Sequence, residues 1–384
     1  MLAVINARLH PVSSSPGRGG LLIREGKILE AGDIRVPEET PTIDARERIV
    51  TPGIIEAHCH AGLSEEGIGW EGNDGNERSD PITPHVRAID GANPEDKAFR
   101  FFREAGITAS QLTPGSANII GGEQLVAKSR ETVFIDEMIV LRPSGMKAAL
   151  GENPKRVYGP KKSPATRMGN AAVMRKWLDR ALAYADKKDA GDSPDFDMIL
   201  ESLIPVVRGD LPLRIHCHRA DDISTALRLA EEFSLRFSLE HVTQGHLVAD
   251  TLAERDVFCA VGPSMVHEAK VEMRGNGFEN AAKMVRAGVR FCLTNDHPVV
   301  HGRNLPAAAG LLQAAGVPAA QALKSITLAA AEHIGLGDRM GSLDVGKDAD
   351  VVIWSGDPLD ARSFADVTII DGEIAHRRGG DSGC

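Results

Sequence analysis

Apolar runs of strand length alternate with amphipathic stretches from about residue 52 to residue 341. Two of these stretches, residues 93–106 and 278–288, end on glycine, and a third, residues 221–233, opens with two aspartates. Such residues are common signals of helix ends. Because strand and helix patterns follow one another repeatedly, the sequence predicts an α/β fold with a parallel sheet.

Eight apolar runs in this region predict strands. They cover residues 54–60, 107–113, a segment within 119–141, 145–150, 211–218, 236–241, 257–262 and 289–296. Eight parallel strands with helices between them predict a (β/α)8 barrel, or TIM barrel. A doubly wound sheet is the alternative, but it requires a G-x-G-x-x-G turn after its first strand, and residues 57–67 (AHCHAGLSEEG) contain none.

The two ends of the chain carry short strand-like runs broken by glycine and aspartate. They are residues 21–36 near the start and residues 341–356 and 366–376 near the end. Neither end has enough strands to be stable alone. The sequence therefore predicts a small composite β domain, a β-sandwich built from residues 1–51 and 343–384, beside a barrel of residues 52–342.

Two long segments follow predicted barrel strands, where loops form the catalytic face of such a barrel. An insertion at about residues 151–209 holds two helical stretches, and its Lys155 and Arg156 suit a substrate carboxylate unless they form only a solvated surface. The glycine-rich, acidic residues 65–90 predict a lid over the substrate pocket, or else an oligomer contact.

Composition and charge argue against some classes of binding partner. The 44 Lys and Arg residues against 54 Asp and Glu residues give a net charge of −10, and no basic run is present, which argues against nucleic acid. No apolar stretch reaches the ~18 residues that a membrane span needs, and the first residues do not form a secretion signal. With five cysteines expected to be reduced, we predict a cytoplasmic protein with a small-molecule substrate, and possible self-association.

Histidines and one aspartate end several of the predicted strands. His58 and His60 close the first strand, and the two-residue period of a strand puts both imidazoles on one face. Cys59 must then point toward the helices as a small buried residue. His216, His241 and Asp296 end later strands, where a barrel exposes its catalytic residues. Imidazole and carboxylate groups that converge in this way predict a divalent metal site.

These motifs resemble those of the amidohydrolase superfamily of metal-dependent hydrolases. The resemblance rests on TPGIIEAHCH at 51–60, on His216, His241 and Asp296, and on the tail GSLDVGKDADVVIW at 341–354. It covers nearly the whole chain. The TPG lead and the tail are similar to the imidazolonepropionase-related branch, which includes prolidase-like relatives and in which both chain ends build a composite β domain.

The resemblance implies a role for each matching residue. His58 and His60 would bind the more buried metal, and His216 and His241 a second or shared one. Asp296 would bind the first metal, take a proton from the attacking water and return it to the leaving amine. The implied cofactor is one or two divalent metal ions per chain, zinc being the expected identity.

Lys147, in the fourth predicted strand, corresponds to a lysine that dipeptidase-like relatives carboxylate to bridge two metals. An unpaired ammonium inside an apolar strand is costly, and carboxylation would turn it into an anion. The alternatives are that Lys147 pairs with an acid such as Glu152 or reaches the barrel mouth. The turn after Lys147 reads GENPKR rather than small and glycine-rich, so Glu152 is itself an alternative bridging ligand.

Other polar residues lie near the predicted rim. His218 is expected to act in catalysis by steadying the substrate, with Arg219 beside it, and His297 is a candidate substrate contact. His333 and the other histidines outside strand ends are expected to be surface or core residues.

The predicted function is a metallohydrolase that cleaves an amide-type C–N bond in a dipeptide, an N-acyl amino acid or a cyclic amide, by a metal-activated hydroxide. One alternative is a deaminase of a heterocyclic amine, but deaminases on this scaffold usually carry H-x-x-E after the fifth strand, and HCHRADD at 216–222 lacks that glutamate. The other alternative is a barrel scaffold that has lost activity.

Overall fold

In the computed structural model, which describes residues 1–160 and 163–379, the secondary structure falls into three stretches. The first holds β1 (Leu2–Leu9), β2 (Gly17–Arg24), β3 (Lys27–Gly32), β4 (Thr42–Asp44) and β5 (Ile49–Pro52). The second holds β6 (Ile54–Cys59), α1 (Lys97–Glu104), β7 (Ile107–Leu112), β8 (Ile120–Lys128), β9 (Ile139–Ala149), α2 (Glu152–Tyr158), α3 (Arg167–Asp189), α4 (Met198–Val207), β10 (Leu213–Cys217), α5 (Ala220–Glu232), β11 (Phe237–His241), α6 (Ala249–Glu254), β12 (Cys259–Val261), α7 (Phe278–Arg286), β13 (Phe291–Leu293), α8 (Leu305–Ala314), α9 (Ala319–Ser325) and α10 (Leu328–His333). The third holds β14 (Val351–Trp354), β15 (Ala365–Ile370) and β16 (Glu373–Arg377).

Strands β6 to β13 form one sheet in sequential order, and β13 returns to lie beside β6. Hydrogen bonds hold the two ends of this sheet together: His60 N donates to His297 O at 2.7 Å, and Thr294 Oγ1 donates to His58 O at 2.8 Å. The nearly closed sheet with helices outside it is the predicted (β/α)8 barrel, of the α/β class. Each of the eight predicted strands corresponds to an observed one.

The prediction that all eight strands are parallel is wrong for the third. β8 pairs antiparallel with both β7 and β9, whereas the other neighbours in this sheet are parallel. Parallel neighbours need a long crossover, usually a helix, but short connections without an α-helix join β8 to β7 and β9. The insertion at 151–209 likewise differs from the prediction, because its described residues, all but 161–162, hold three helices, α2 to α4, instead of two.

The two faces of the barrel strands bury different clusters. Cys59, on the outer face of β6 as predicted, belongs to the cluster that includes Phe99 and Phe102 of α1. A register shift between Glu56 and Cys59 interrupts the alternation of β6, and Ile55 and Ala57 belong to an inner cluster with residues of α10, among them Ala330. α10 therefore closes the bottom of the barrel and leaves the opposite end as the mouth.

Strands from both chain ends share a second sheet, in the order β16-β15-β14-β5-β1-β2-β3, with β4 beside β1. Its buried residues form a separate cluster that includes Val4, Leu21, Ile28 and Val351. The division of the chain into a composite β domain and a barrel domain stays a prediction, and residues 380–384 of the predicted domain lie outside the described residues. Among the residues described, no helix has the length and apolar character needed to cross a membrane.

Candidate metal centre

Two groups of possible metal ligands lie at the barrel mouth. One consists of His58, His60 and Asp296, and the other of His216, His218 and His241; within each group the ligand atoms lie within 4.8 Å of one another. The carboxyl ends of the barrel strands place them there, since these residues lie at or just beyond the ends of β6, β10, β11 and β13. The structure thus brings together the predicted histidines and aspartate, and adds His218 to them.

In the first group, both imidazoles direct Nε2 toward one carboxylate. Asp296 Oδ1 is 3.1 Å from His60 Nε2 and 3.8 Å from His58 Nε2. The other ring nitrogens have partners: His58 Nδ1 lies 2.9 Å from Glu240 Oε2, and His60 Nδ1 lies 2.6 Å from Thr113 O. An acceptor on Nδ1 fixes the ring and leaves Nε2 free for a metal, as in many metalloenzymes.

The second group leaves a buried nitrogen without a partner. His241 Nδ1 lies 2.8 Å from Gly262 O, and His218 Nδ1 lies 2.8 Å from Thr243 Oγ1. His216 Nδ1 is buried and has no hydrogen-bond partner among the residues that the structure describes. Buried polar atoms normally have a partner, and neutral imidazoles with a carboxylate are donors that zinc and similar divalent ions accept. The residues of the two groups therefore fit divalent metal ions.

The strand ends that carry these ligands have unusual backbone conformations. His241 has a φ of 75° and Asp296 a φ of 54°, in the left-handed region that non-glycine residues rarely adopt. Successive residues of a regular strand point to opposite faces. The left-handed turn at His241 allows Glu240 and His241, which are neighbours, both to reach the mouth cluster. Strain of this kind is typical of functional sites.

The charge states favour metal binding. Burial, together with the Lys147 ammonium, lowers the pKa of His58 to about 4, and burial lowers the pKa of His218 to about 4. These imidazoles are neutral at pH 7, which is the form that binds a metal. Burial by itself would raise the pKa of Asp296, but the neighbouring His241, His60 and His58 outweigh it and lower this pKa.

Lys147 lies in β9 with its side chain fully buried, and Nζ is 2.9 Å from His58 Nε2. No salt bridge joins it to a carboxylate of the described residues. Lys147 therefore neither reaches the solvent at the mouth nor pairs with Glu152, which removes both structural alternatives. Burial lowers the pKa of Lys147 to about 8. Its contact with His58 places it beside the first group, and its carboxylation and bridging role stay predictions.

The remaining predicted residues lie outside the two groups. Glu152 is in the first turn of α2 with a partly exposed side chain, and Lys155 and Arg156 are in the last turn of that helix. The Arg219 guanidinium forms two hydrogen bonds with Asp221, at 2.9 and 2.7 Å. His297 faces the helix side of the barrel, with its ring 5.4 Å from that of Phe102, and its Nδ1 accepts a hydrogen bond from Gly302 N.

Three residues at the centre escaped the sequence prediction. Glu240 contacts His58 from below, and its only sequence signal is its place beside His241. Glu272, in the loop after β12, is fully buried, and its Oε1 lies 3.8 Å from both His216 Nε2 and His218 Nε2. Asn153, in α2, places Nδ2 at 3.4 Å from His216 Nε2. No periodicity marks residues that reach a site from loops or a short helix.

The predicted lid, residues 65–90, is anchored near its start and exposed a few residues further on. Asp96 accepts hydrogen bonds from Gly62 N at 2.8 Å and Glu66 N at 3.0 Å, and Glu66 contacts His301 Nε2 at 2.8 Å. Trp70 is 89% exposed. The base of this loop is thus anchored to the barrel. Its role as a lid stays a prediction.

Comparison with known proteins shows strong similarity to one family. A model of the amidohydrolase family matches residues 49–375. The solved structure of an amidohydrolase from Thermotoga maritima MSB8 is 39% identical, with a TM-score of 0.95 over 98% of this chain and 100% of that chain. Amidohydrolase tasK from Hapsidospora irregularis is 32% identical over 92% of this chain, which spans only 39% of that relative's length.

Two further relatives, each 26% identical, bear the names of different reactions. A 5-methylthioadenosine/S-adenosylhomocysteine deaminase from Desulforudis audaxviator matches over 92% of this chain and 84% of its own length. An imidazolonepropionase from Acidiphilium cryptum matches over 92% of this chain and 93% of its own length. These relatives match over most of the same chain, but their names refer to different substrates.

Proposed function

The chain belongs to the amidohydrolase family and is a hydrolase of carbon–nitrogen bonds, and from this premise we propose that it cleaves an amide-type bond in a small substrate. The substrate would be a dipeptide, an N-acyl amino acid or a cyclic amide. The observation that carries the proposal is the convergence of His58, His60 and Asp296 with three further histidines at the barrel mouth.

Divalent metal, zinc in our proposal, would be held by these residues. His58, His60 and Asp296 would hold one ion, and His216 and His241 the other, with carboxylated Lys147 between them. A divalent ion bound in such a site lowers the pKa of water to about 7 and polarises a carbonyl group. Glu152 is the weaker candidate for the bridge, because Lys147, not Glu152, contacts a residue of the first group.

The protein groups would then move the proton and hold the substrate. Asp296 is ionised, since its pKa is lowered by the neighbouring imidazoles despite burial. It would take a proton from the attacking water at a carboxylate oxygen and return it to the leaving amine. His218, whose Nδ1 contacts Thr243 Oγ1, would direct Nε2 to the substrate carbonyl or serve the second ion as a ligand.

A hydrolysis screen tests this function. Metal-loaded protein is incubated with dipeptides, N-acyl amino acids and cyclic amides, and product formation is measured. Asp296→Asn should keep the fold, so that its circular dichroism spectrum without metal equals that of the unaltered protein. It should lower kcat by about 10²- to 10⁴-fold, the usual contribution of a general acid–base group. Asp256→Asn on the surface is the matched control. Full turnover by the Asp296 variant would contradict the assignment.

A deaminase is the second candidate, and one observation favours it. Glu272 Oε1 lies 3.8 Å from His218 Nε2, so a carboxylate from another loop reaches the fifth-strand histidine although the H-x-x-E motif is missing. The deaminase relative adds support. Release of ammonia from aminated heterocycles, with no hydrolysis in the amide screen, would replace the first proposal by the second.

The organisation around this centre is also a proposal. Residues 1–51 and 343–384 would form the composite β domain, in support of which strands from both ends share one sheet. Cys59, Cys217, Cys259 and Cys292 are free and buried, which suits the reducing cytoplasm. A homo-oligomer and the absence of nucleic-acid partners remain predictions, testable by light scattering and by DNA titration.

A further inference from the structure

The loop between β12 and α7 brings an ion pair to the second histidine group. Lys270 Nζ lies 3.3 Å from Glu272 Oε1, the oxygen that is 3.8 Å from His216 Nε2 and from His218 Nε2. Glu272 Oε2 accepts a hydrogen bond from Glu152 N at 2.9 Å. The carboxylate therefore joins three barrel loops, those after β9, β10 and β12, around one side of the mouth.

Asn153 connects the Lys270 ammonium to the same histidine. Lys270 Nζ donates to Asn153 Oδ1 at 3.1 Å, and Asn153 Nδ2 is 3.4 Å from His216 Nε2. Asn153 is itself held by Ser116 Oγ, 2.8 Å from Nδ2. The ammonium is thus one side chain away from the candidate metal centre and fixed relative to it.

The Lys270 side chain is also partly exposed. A lysine carries three N–H donors, and Asn153 and Glu272 take two of them. The Lys270 side chain is 21% exposed, whereas those of Glu272 and Lys147 are fully buried. Within the described part of the chain, one donor of Lys270 is therefore left for a molecule that enters the mouth.

Two described arginines near this side of the mouth each make two contacts with a carboxylate, whereas Lys270 makes a single contact with Glu272. The Arg219 guanidinium binds Asp221, and Arg167 Nε is 3.0 Å from both carboxylate oxygens of Asp222. The positive charge of Lys270 reaches the histidines, where it contributes after burial to the lowered pKa of His216 and His218. An anionic group beside His216 would lie close to Lys270, which Asn153 connects to that histidine.

We propose that Lys270 binds a carboxylate of the substrate, so that the substrate is an N-acyl amino acid or a dipeptide and not a neutral cyclic amide or amine. This inference rests on the proposed amide hydrolysis. In these compounds the carboxylate is one carbon away from the amide nitrogen. The scissile bond could then lie at the histidines while the carboxylate accepts the free N–H of Lys270, as a charge-assisted hydrogen bond. Glu272 and Asn153 act as positioning residues for the ammonium.

The test pairs each N-acetyl amino acid with its neutral C-terminal carboxamide. Binding of both is measured by calorimetry to the Asp296→Asn protein, and kcat/KM is measured for the enzyme with an intact Asp296. We expect the acid to be preferred by about 10- to 100-fold, the effect of one hydrogen bond to a charged group. Lys270→Met should abolish the preference mainly through KM, and Lys270→Arg should restore part of it. Lys176→Met, at an exposed position of α3, is the matched control and should leave the preference unchanged.

The outcomes separate this inference from the proposed function. An acid preference that persists in Lys270→Met, or equal binding of acid and carboxamide by the unsubstituted site, overturns the role of Lys270. If binding of the acids depends on Lys270 but none is hydrolysed, the carboxylate site stands and the proposed hydrolysis fails. If carboxamides are hydrolysed as well as acids, the hydrolysis stands and the carboxylate site fails.

Discussion

Glu240 joins two imidazoles beneath the candidate metal centre. Its Oε2 is 2.9 Å from His58 Nδ1 and its Oε1 is 3.2 Å from His333 Nε2, while Ser238 Oγ donates to Oε1 at 2.7 Å. All four side chains are buried. The carboxylate fixes the His58 ring with Nε2 toward Asp296, and His333, expected to be only a surface or core residue, holds the carboxylate in turn.

We therefore predict that Glu240→Gln weakens metal binding by about 10- to 100-fold, because residues that orient metal ligands contribute on this scale. The measurement is competition with a chromophoric chelator on the folded variant. Glu254→Gln, on the exposed face of α6, is the control and should bind metal as the unaltered protein does. Equal metal affinity in the two variants would exclude a positioning role for Glu240.

Lys147 permits a second test at the residue scale. If its carboxylated form bridges two ions, Lys147→Ala should lower the metal content from about two to about one per chain, and short carboxylates should partly restore it. Metal content is measured by elemental analysis after gel filtration. An unchanged content would favour Glu152 as the bridge or a single-ion site.

At the scale of elements, a lysine of β8 is surrounded by carboxylates from the segment before β14 and the turn after β15. The Lys128 ammonium of β8 is fully buried and contacts Asp348 at 2.8 Å, Asp350 at 3.1 Å and Asp371. The K-D-A-D sequence of the tail thus has a structural role, since it surrounds a barrel lysine with carboxylates. A buried ammonium with several partners is costly to remove, because its partners are left uncompensated.

Lys128→Met should accordingly lower the free energy of unfolding by about 3–5 kcal/mol. Lys27→Met is a matched control, because Lys27 Nζ contacts the same Asp348 at 2.5 Å but its side chain is 47% exposed. Because Lys27 is half exposed and Asp348 keeps its contact with Lys128 when Lys27 is replaced, the control should lose only about 0–1 kcal/mol. The free energy of unfolding of both variants is measured by urea unfolding. Equal losses of free energy in the two variants would mean that burial of Lys128 contributes nothing to stability.

For the whole molecule, metal binding should be visible as stability. A ligand that binds only the folded state at a hundredfold excess over its Kd adds about 2.7 kcal/mol. Removal of metal by a chelator should lower Tm by a few degrees, and added zinc should restore it, as followed by calorimetry. In the double variant His58→Ala with His60→Ala, the change of Tm on metal removal should be smaller. In Lys270→Met, it should be as large as in the unaltered protein. An identical response of the double variant would refute the first metal site.

Much of this molecule follows from local patterns. Alternation of strand and helix signals predicted the eight barrel strands, and the two-residue period of β6 put His58 and His60 on one face with Cys59 on the other. His216, His241 and Asp296 were found because a barrel directs the carboxyl ends of its parallel strands to one mouth. These features depend on residues close in sequence and on a repeated topology, so the sequence by itself determined them.

Other features depend on contacts between segments that no local pattern links. The sequence did not give the direction of β8, since an apolar run pairs equally well either way. His297 follows Asp296 directly, yet the turn after β13 directs its ring to Phe102. Lys270 and Glu272 reach His216 only because their loop folds back over the mouth. The path of each loop is decided by tertiary packing, and with it the side chains that surround the substrate.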